Sequence, residues 1–250
     1  MRTVSSVVSV LLLGALILSA CAQEKWEYVS IGGDFTYAMR WNETYAAYIE
    51  EDLNVDVTLT DVSFHSRKAL SDMLKQLQTD QEFRSLVENA EVVTISVPTE
   101  SYLGGAQGRY MSGMCGGDDG QDCLRESVQN IKDDWTGIID EIAALRAGAP
   151  VLLRVVIIGD WFYDWEFSDP MTPEEKETLI KYYREVNDFI EQDAARRGIV
   201  TVRAFPEPYF YEQYPPVEYL TPRAVHFSEQ GSQVIADELR KAGYEFVALK

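Results

Sequence analysis

Two carboxylates and one imidazole stand out in the sequence for the chemistry that they could perform together. Asp34, Glu100 and His226 each lie in a loop that follows a segment with the pattern of a β-strand. If these loops meet, the two carboxylates repel each other, and one of them has a raised pKa unless a cation compensates. Arg67 and Arg223 could supply that cation and close the group as an ion-pair network, whereas a divalent metal would take the three side chains as ligands. We favour the arginines, because a single histidine is a weak signal for a metal site.

Three further features could border the same site. His65 lies in the loop after the second predicted strand, where we predict a structural or rim role. Segment 160–165, with the sequence DWFYDW, could stack on sugar rings and bind their hydroxyls, or could pack as a lid over the core. Segment 206–219 is rich in tyrosine and proline, and it predicts an ordered, extended loop because disordered segments are poor in aromatic residues.

Residues 1–21 have the pattern of an export signal. Arg2 is followed by an apolar run over 7–18, which is shorter than the roughly 20 residues of a membrane-spanning helix. The run leads into Leu-Ser-Ala-Cys at 18–21, which resembles the lipobox of bacterial lipoproteins. The resemblance implies that residues 1–20 are removed, that Cys21 is lipidated, and that 21–26 tether a domain over 27–250 to the extracytoplasmic face of a bacterial membrane. The alternative is ordinary cleavage after Ala20 or Ala22, which would leave a secreted protein.

Cys115 and Cys123 bracket a loop of glycine and acidic residues. Export implies an oxidising compartment, and a disulfide that closes a loop of this size stabilises the fold by about 2.5 kcal/mol in the chain-entropy model. The acidic residues lack the order of an EF-hand loop, and the cysteines lack the C-x-x-C spacing of a metal site. We therefore predict a hairpin closed by a disulfide, and no cofactor.

The charge balance excludes one large class of partners. The chain has 22 Lys and Arg against 41 Asp and Glu, a net charge of −19, which repels nucleic-acid phosphates and anionic lipids. Its 250 residues and 46% hydrophobic content suit one domain with a full core. We expect a small-molecule or glycan ligand, no nucleic acid, and membrane contact through the lipid anchor only.

The hydrophobic pattern alternates between strands and helices along the whole domain. Apolar, β-branched runs predict five strands, at 28–31, 55–59, 92–97, 151–158 and 200–202. Helical periodicity and capping residues predict helices at 45–53, 68–77, 82–89, 124–146, from the Thr172 cap to Gly198, and at 228–241. Strands separated by helices predict an α/β domain with a parallel sheet that is covered on both faces. A ligand would then bind beyond the carboxyl ends of the strands.

Four segments together resemble the SGNH, or GDSL-type, hydrolases. YVSIGGDFT at 28–36 resembles the strand and Gly-Asp-Ser block of that family, and VVTISV at 92–97 resembles the strand before its Gly-x-Asn-Asp block. VHFSEQG at 225–231 resembles the histidine block, and 115–135 is similar to the disulfide loop and helix of a bacterial branch. The resemblance implies a single flavodoxin-like three-layer sandwich with a five-stranded parallel sheet, acting on esters or acetylated glycans.

The catalytic positions depart from the family's pattern. Asp34 stands in place of the nucleophilic serine, Gly33 in place of the aspartate before it, and Glu100 in place of the asparagine that binds the oxyanion. Arg223 replaces the aspartate of the triad, and only His226 matches. Acyl transfer by a serine needs its hydroxyl, a base and oxyanion donors, so these replacements argue against ordinary serine esterase activity.

Two classes of function therefore remain open from the sequence. The first is a cell-surface hydrolase of esters or acetylated glycans with altered chemistry, in which another register would have to use Ser30, Ser63, Ser66 or Ser101 as nucleophile. The second is a catalytically inactive binding protein that uses the same cleft for a carbohydrate or another small ligand. Fold alone does not decide between them, since function depends on the site.

Overall fold

The computed structural model describes residues 23–33, 36, 40–63, 69–97, 100–157, 171–203 and 228–249. Within these residues the strands are β1 (Lys25–Ile31), β2 (Asp56–Asp61), β3 (Val92–Ser96), β4 (Leu152–Ile157) and β5 (Val200–Arg203). The helices are α1 (Trp41–Leu53), α2 (Leu70–Thr79), α3 (Gln81–Asn89), α4 (Glu100–Met111), α5 (Asp122–Arg146), α6 (Pro173–Arg196) and α7 (Glu229–Lys241). The predicted α/β class is confirmed, and β1 begins inside the predicted tether.

The five strands form one parallel sheet in the order β2-β1-β3-β4-β5. After β2 the chain returns across β1 to build the other half of the sheet, so the order reverses between β1 and β3. In parallel α/β sheets, ligands bind beyond the carboxyl ends of the strands at such a reversal. The register pairs Ser30 of β1 with Asp61 of β2 and with Thr94 of β3.

The sheet is buried on both faces, because consecutive side chains of each strand enter two different cores. On one face, residues such as Ile31 and Ile95 pack against α2, α3, α4, α5 and α6. On the other face, residues such as Tyr28 and Val156 pack against α1 and α7. Helices on both sides of the sheet confirm the predicted three-layer sandwich.

Two helices begin at the predicted capping residues. The Thr172 hydroxyl accepts from the Glu175 N–H at 3.2 Å, and the Glu175 carboxylate accepts from the Thr172 N–H at 2.7 Å, which completes a capping box at the start of α6. Ser228 caps α7 by accepting from the Gly231 N–H at 3.2 Å. These hydrogen bonds satisfy N–H groups that a helix leaves unpaired at its first turn.

Helix α4 was not predicted from the sequence. It contains Gly104, Gly105 and Gly108, and glycine is a poor helix former, so the local signal is weak. Tertiary contacts place the helix instead, because Leu103 and Ala106 are buried in the core on the α5 side of the sheet. At Gly104 the backbone leaves the helical region, with φ 25° and ψ −116°, and α4 is kinked there.

No helix in the described residues is both long enough and apolar enough to span a lipid bilayer.

Candidate functional site

The reversal in strand order places the candidate site at the carboxyl ends of β1 and β3. Gly32 and Gly33 follow β1, and α4 begins at Glu100 shortly after β3. Glu100 therefore opens a helix at the edge of the sheet where the sequence predicted a ligand site.

Several predicted site residues lie outside the described residues. They are Cys21, Asp34, His65, Ser66, Arg67, Arg223, His226, and the segments 160–165 and 206–219. The convergence of Asp34, Glu100 and His226, and the choice between an arginine network and a metal, therefore stay predictions.

Gly32 is required by a close approach at the end of β1. The Thr36 hydroxyl occupies the space in which a Cβ of residue 32 would stand, and the Ser96 Cβ lies 3.1 Å from that same position. The Thr36 backbone N–H donates to the Gly33 carbonyl at 3.1 Å, and this hydrogen bond holds Thr36 over Gly32. Because only glycine leaves this space free, the first glycine of the predicted block has a packing role beneath the loop.

A hydrogen-bonded group of hydroxyls lies one row deeper on the α1 face of the sheet. The Tyr28 and Thr94 hydroxyls are 2.9 Å apart, and Thr94 donates to the Ser30 hydroxyl at 3.4 Å. All three side chains are fully buried, and burial raises the pKa of Tyr28 well above its usual value. Ser30 is therefore enclosed in the core, which removes it from the alternative nucleophiles.

Asp61 positions the segment that leaves β2. Its carboxylate accepts from the Asn42 side-chain amide of α1 at 3.0 Å and from the Ser63 backbone N–H at 2.8 Å. Asn42 is only 1% exposed, so the helix side of this link is buried, whereas Asp61 itself is an exposed residue. Ser63 is thereby fixed beside the end of β1.

Arg154 is a buried cation in the middle of β4. Its guanidinium donates to the carbonyls of Gly243 at 2.8 Å and Glu245 at 3.2 Å, and burial lowers its pKa. The neighbouring Tyr45 is also buried, which raises its pKa to about 12. This group anchors the chain after α7 to the sheet and has a structural role.

The predicted disulfide between Cys115 and Cys123 is confirmed, with their Cα atoms 5.2 Å apart. Arg125 offsets part of the negative charge of the acidic loop that the disulfide closes, since it donates to both carboxylate oxygens of Asp119, at 2.8 and 2.9 Å, and also contacts Asp122. This hydrogen bonding lowers the pKa of Asp119 to about 2. The described residues contain no group of three His, Cys, Asp or Glu that could hold a metal ion.

Sequence reasoning missed Thr36 and Ser96 at this edge, and Arg154 in the middle of β4. A signal for two of them was present, since Ser96 and Arg154 interrupt the apolar runs of buried strands. A polar residue in a strand that is buried on both faces must find partners inside the protein. Thr36 carried no such signal, because its position depends on the turn after Gly33.

Comparison with known proteins identifies the fold. No protein-family model matches the sequence, and no significant match was found among curated proteins. A lipase from a goat rumen metagenome superposes with a TM-score of 0.69 and 21% identity over 88% of this chain and 98% of the lipase. The acetylxylan esterase Axe2 of Geobacillus stearothermophilus gives 0.56 and 15% over 90% of this chain and 97% of the esterase. A candidate GDSL-like lipase of Parabacteroides merdae gives 0.59 and 11% over 88% of this chain and 96% of that protein.

These identities are too low to carry over an activity, but the similarity covers nearly the whole length of each protein. A five-stranded parallel sheet in a three-layer sandwich was expected from the four segments that resemble the family. The chain therefore has the fold of the SGNH, or GDSL-type, hydrolases.

Proposed function

We propose that this chain is an exported, lipid-anchored protein that binds an ester or an acetylated glycan at the carboxyl edge of its sheet, without serine hydrolase activity. One observation carries the proposal. Strand β1 ends at Ile31 and Gly32 is the first residue beyond it, closely packed against Thr36 and Ser96. This position suits the glycine of the Gly-Asp-Ser block, and counting from it puts Asp34 at the place of the nucleophile.

The chemistry of the replacements argues in the same direction. A carboxylate at Glu100 would put negative charge where an oxyanion develops, and even the neutral loss of one such donor costs about 2.7–4 kcal/mol. Attack by Asp34 on a carboxylic ester would form a strained anhydride. Ser30, the serine nearest to the end of β1, is buried and hydrogen-bonded.

The ligand class comes from the resemblance and from the structural neighbours. Those neighbours include a lipase and an acetylxylan esterase, whose names share ester chemistry and, for the second, an acetylated sugar polymer. A hydrolase of the same compounds with altered chemistry is the second candidate, and the same neighbours favour it.

Export and anchoring are supported by two features of the chain. The Leu-Ser-Ala-Cys segment at 18–21 resembles a lipobox, and the disulfide between Cys115 and Cys123 suits an oxidising compartment. Membrane attachment would then come from the acyl chains on Cys21.

Fluorophosphonate labelling tests the proposal, together with turnover of p-nitrophenyl acetate. We expect no labelled serine, no turnover above the buffer rate, and measurable binding of acetylated xylo-oligosaccharides by isothermal titration calorimetry. The matched variant is Asp34→Ser, which should gain little activity because Glu100 and Arg223 still oppose the mechanism. Stoichiometric labelling of any serine in the unmodified protein would overturn the proposal and favour the hydrolase.

A further inference from the structure

Three hydroxyl side chains lie in one row across the carboxyl ends of β2, β1 and β3. Ser30 pairs with Asp61, so Ser63 lies beside Gly32; Ile31 pairs with Ile95, so Ser96 lies on the other side of Gly32. Gly32 has no side chain, and the Thr36 hydroxyl fills its place in the row. We call Ser63, Thr36 and Ser96 the hydroxyl row.

The hydroxyl row is buried, yet its oxygens are unpaired. Thr36 and Ser96 are fully buried and Ser63 is 8% exposed, and none of the three hydroxyls has a hydrogen-bond partner within the described part of the chain. The row behind it differs, because Ser30 and Thr94 are equally buried but hydrogen-bonded. An unpaired buried hydroxyl is unfavourable, and most such groups in proteins have a partner, either protein or ordered water.

The spacing of the row suits a guest oxygen between neighbouring hydroxyls. Ser63 and Ser96 lie on opposite sides of β1, two strand spacings or roughly 10 Å apart, which is too far for a direct hydrogen bond, and the Thr36 hydroxyl lies between them. A single oxygen between two of them can bond both, since each O–H···O bond spans roughly 2.8 Å. Serine and threonine hydroxyls both donate and accept, and the row contains no charged side chain, so a neutral hydroxyl oxygen matches it best.

We propose that the hydroxyl row binds neutral hydroxyl oxygens, from water in the free protein and from the hydroxyl groups of a sugar ligand in the complex. The row lies at the reversal in strand order, directly beside the turn that leads to Asp34. The part of the inference that concerns the sugar rests on the proposed function. The part that concerns water does not.

Paired substitutions at matched positions test the inference. Ser96→Ala and Thr36→Val remove hydroxyls of the row, and Ser30→Ala and Thr94→Val remove hydroxyls with observed partners in the row behind. Thermal unfolding of each variant is measured without ligand and with acetylated xylo-oligosaccharides, and the sugar affinity is measured by calorimetry. Ser30→Ala should lower Tm by about 2–4 °C, since it removes one hydrogen bond, and Thr94→Val by about 4–8 °C, since the Thr94 hydroxyl takes part in two.

The two sources of oxygen give different results. If water fills the row, Ser96→Ala lowers Tm of the free protein about as much as Ser30→Ala does, and Thr36→Val lowers it by at least that amount. If only the sugar fills it, both variants keep the wild-type Tm or exceed it, but bind the oligosaccharide about tenfold more weakly, a loss of roughly 1.4 kcal/mol. The inference would be overturned if both variants kept the wild-type Tm and lost no sugar binding. The same holds if they kept the wild-type Tm and the wild type itself bound no sugar. Fluorophosphonate labelling tests separately the part of the proposed function that excludes a nucleophilic serine.

Discussion

Substitution of Gly32 by alanine gives the sharpest test of how the site is built. A Cβ at this position would lie 2.9 Å from the Thr36 Cβ and 3.1 Å from the Ser96 Cβ, and it would also overlap the Thr36 hydroxyl. Carbon atoms in contact normally keep about 3.5–4.0 Å. Thr36 and Ser96 are both fully buried, so neither can turn out into water to make room.

The expected cost follows from this overlap. Overpacking a buried site typically costs about 1–3 kcal/mol, and the lower chain entropy of alanine in the unfolded state returns about 0.4–1 kcal/mol. We therefore expect Gly32→Ala to destabilise the protein by about 1–2 kcal/mol, which lowers Tm by roughly 2–8 °C for a domain of this size. Circular dichroism during heating measures this shift.

A second glycine supplies the matched control. Gly108 lies exposed in α4, with nothing within 4 Å of its Cβ position. Gly108→Ala should therefore raise the stability by about 0.5–1 kcal/mol, because alanine is the better helix former. Thr36→Ala, combined with Gly32→Ala, should recover about 1 kcal/mol of the cost, since the two residues are in contact. A Gly32→Ala variant that melts with the wild type would show that Thr36 does not lie over Gly32.

Three other substitutions test separate parts of the chain. Cys21→Ser should release the protein from membranes into the soluble fraction, and a variant that still sediments with membranes would reject lipidation. Arg125→Leu should raise the pKa of Asp119 from about 2 toward its ordinary value, as measured by NMR titration. Because that pKa is depressed in the folded state, the stability from this ion pair is present above about pH 4 and is lost as the pH falls through 2; a variant with unchanged acid sensitivity in this window would contradict the assignment. Thr172→Ala removes the hydroxyl that caps α6 and should cost about 1 kcal/mol, seen as a Tm lowered by roughly 2–4 °C, whereas an unchanged Tm would show that the cap contributes little.

The elements of this fold could be predicted because their signals are local. The strand at 92–97 is an unbroken apolar, β-branched run, and the structure has β3 at Val92–Ser96. The start of α6 is determined by Thr172 and Glu175, which are three residues apart. The first signal depends on how side-chain direction repeats along a strand or helix, and the second on the unpaired N–H groups of a helix's first turn. Both are determined by residues that are close together in the sequence.

Helix α4 shows the opposite case. Its glycines give a weak helical signal, and its place is determined by the burial of Leu103 and Ala106 against other elements. The location of the candidate site also depended on tertiary structure. The sequence located the carboxyl ends of the strands, and the strand order then selected β1 and β3 as the edge at which a ligand would bind.

From the sequence alone followed the α/β class, the position of most strands and helices, and the disulfide pair, whereas the replacement of the serine nucleophile by Asp34 stays a prediction. Only the tertiary structure decided that Thr36 lies over Gly32 beside Ser96, and that Arg154 holds the carbonyls of the C-terminal segment. The reason is physical: these contacts join residues from different elements. Sheet register and packing bring such residues together, and neither is encoded in the spacing of residues along a single strand or helix.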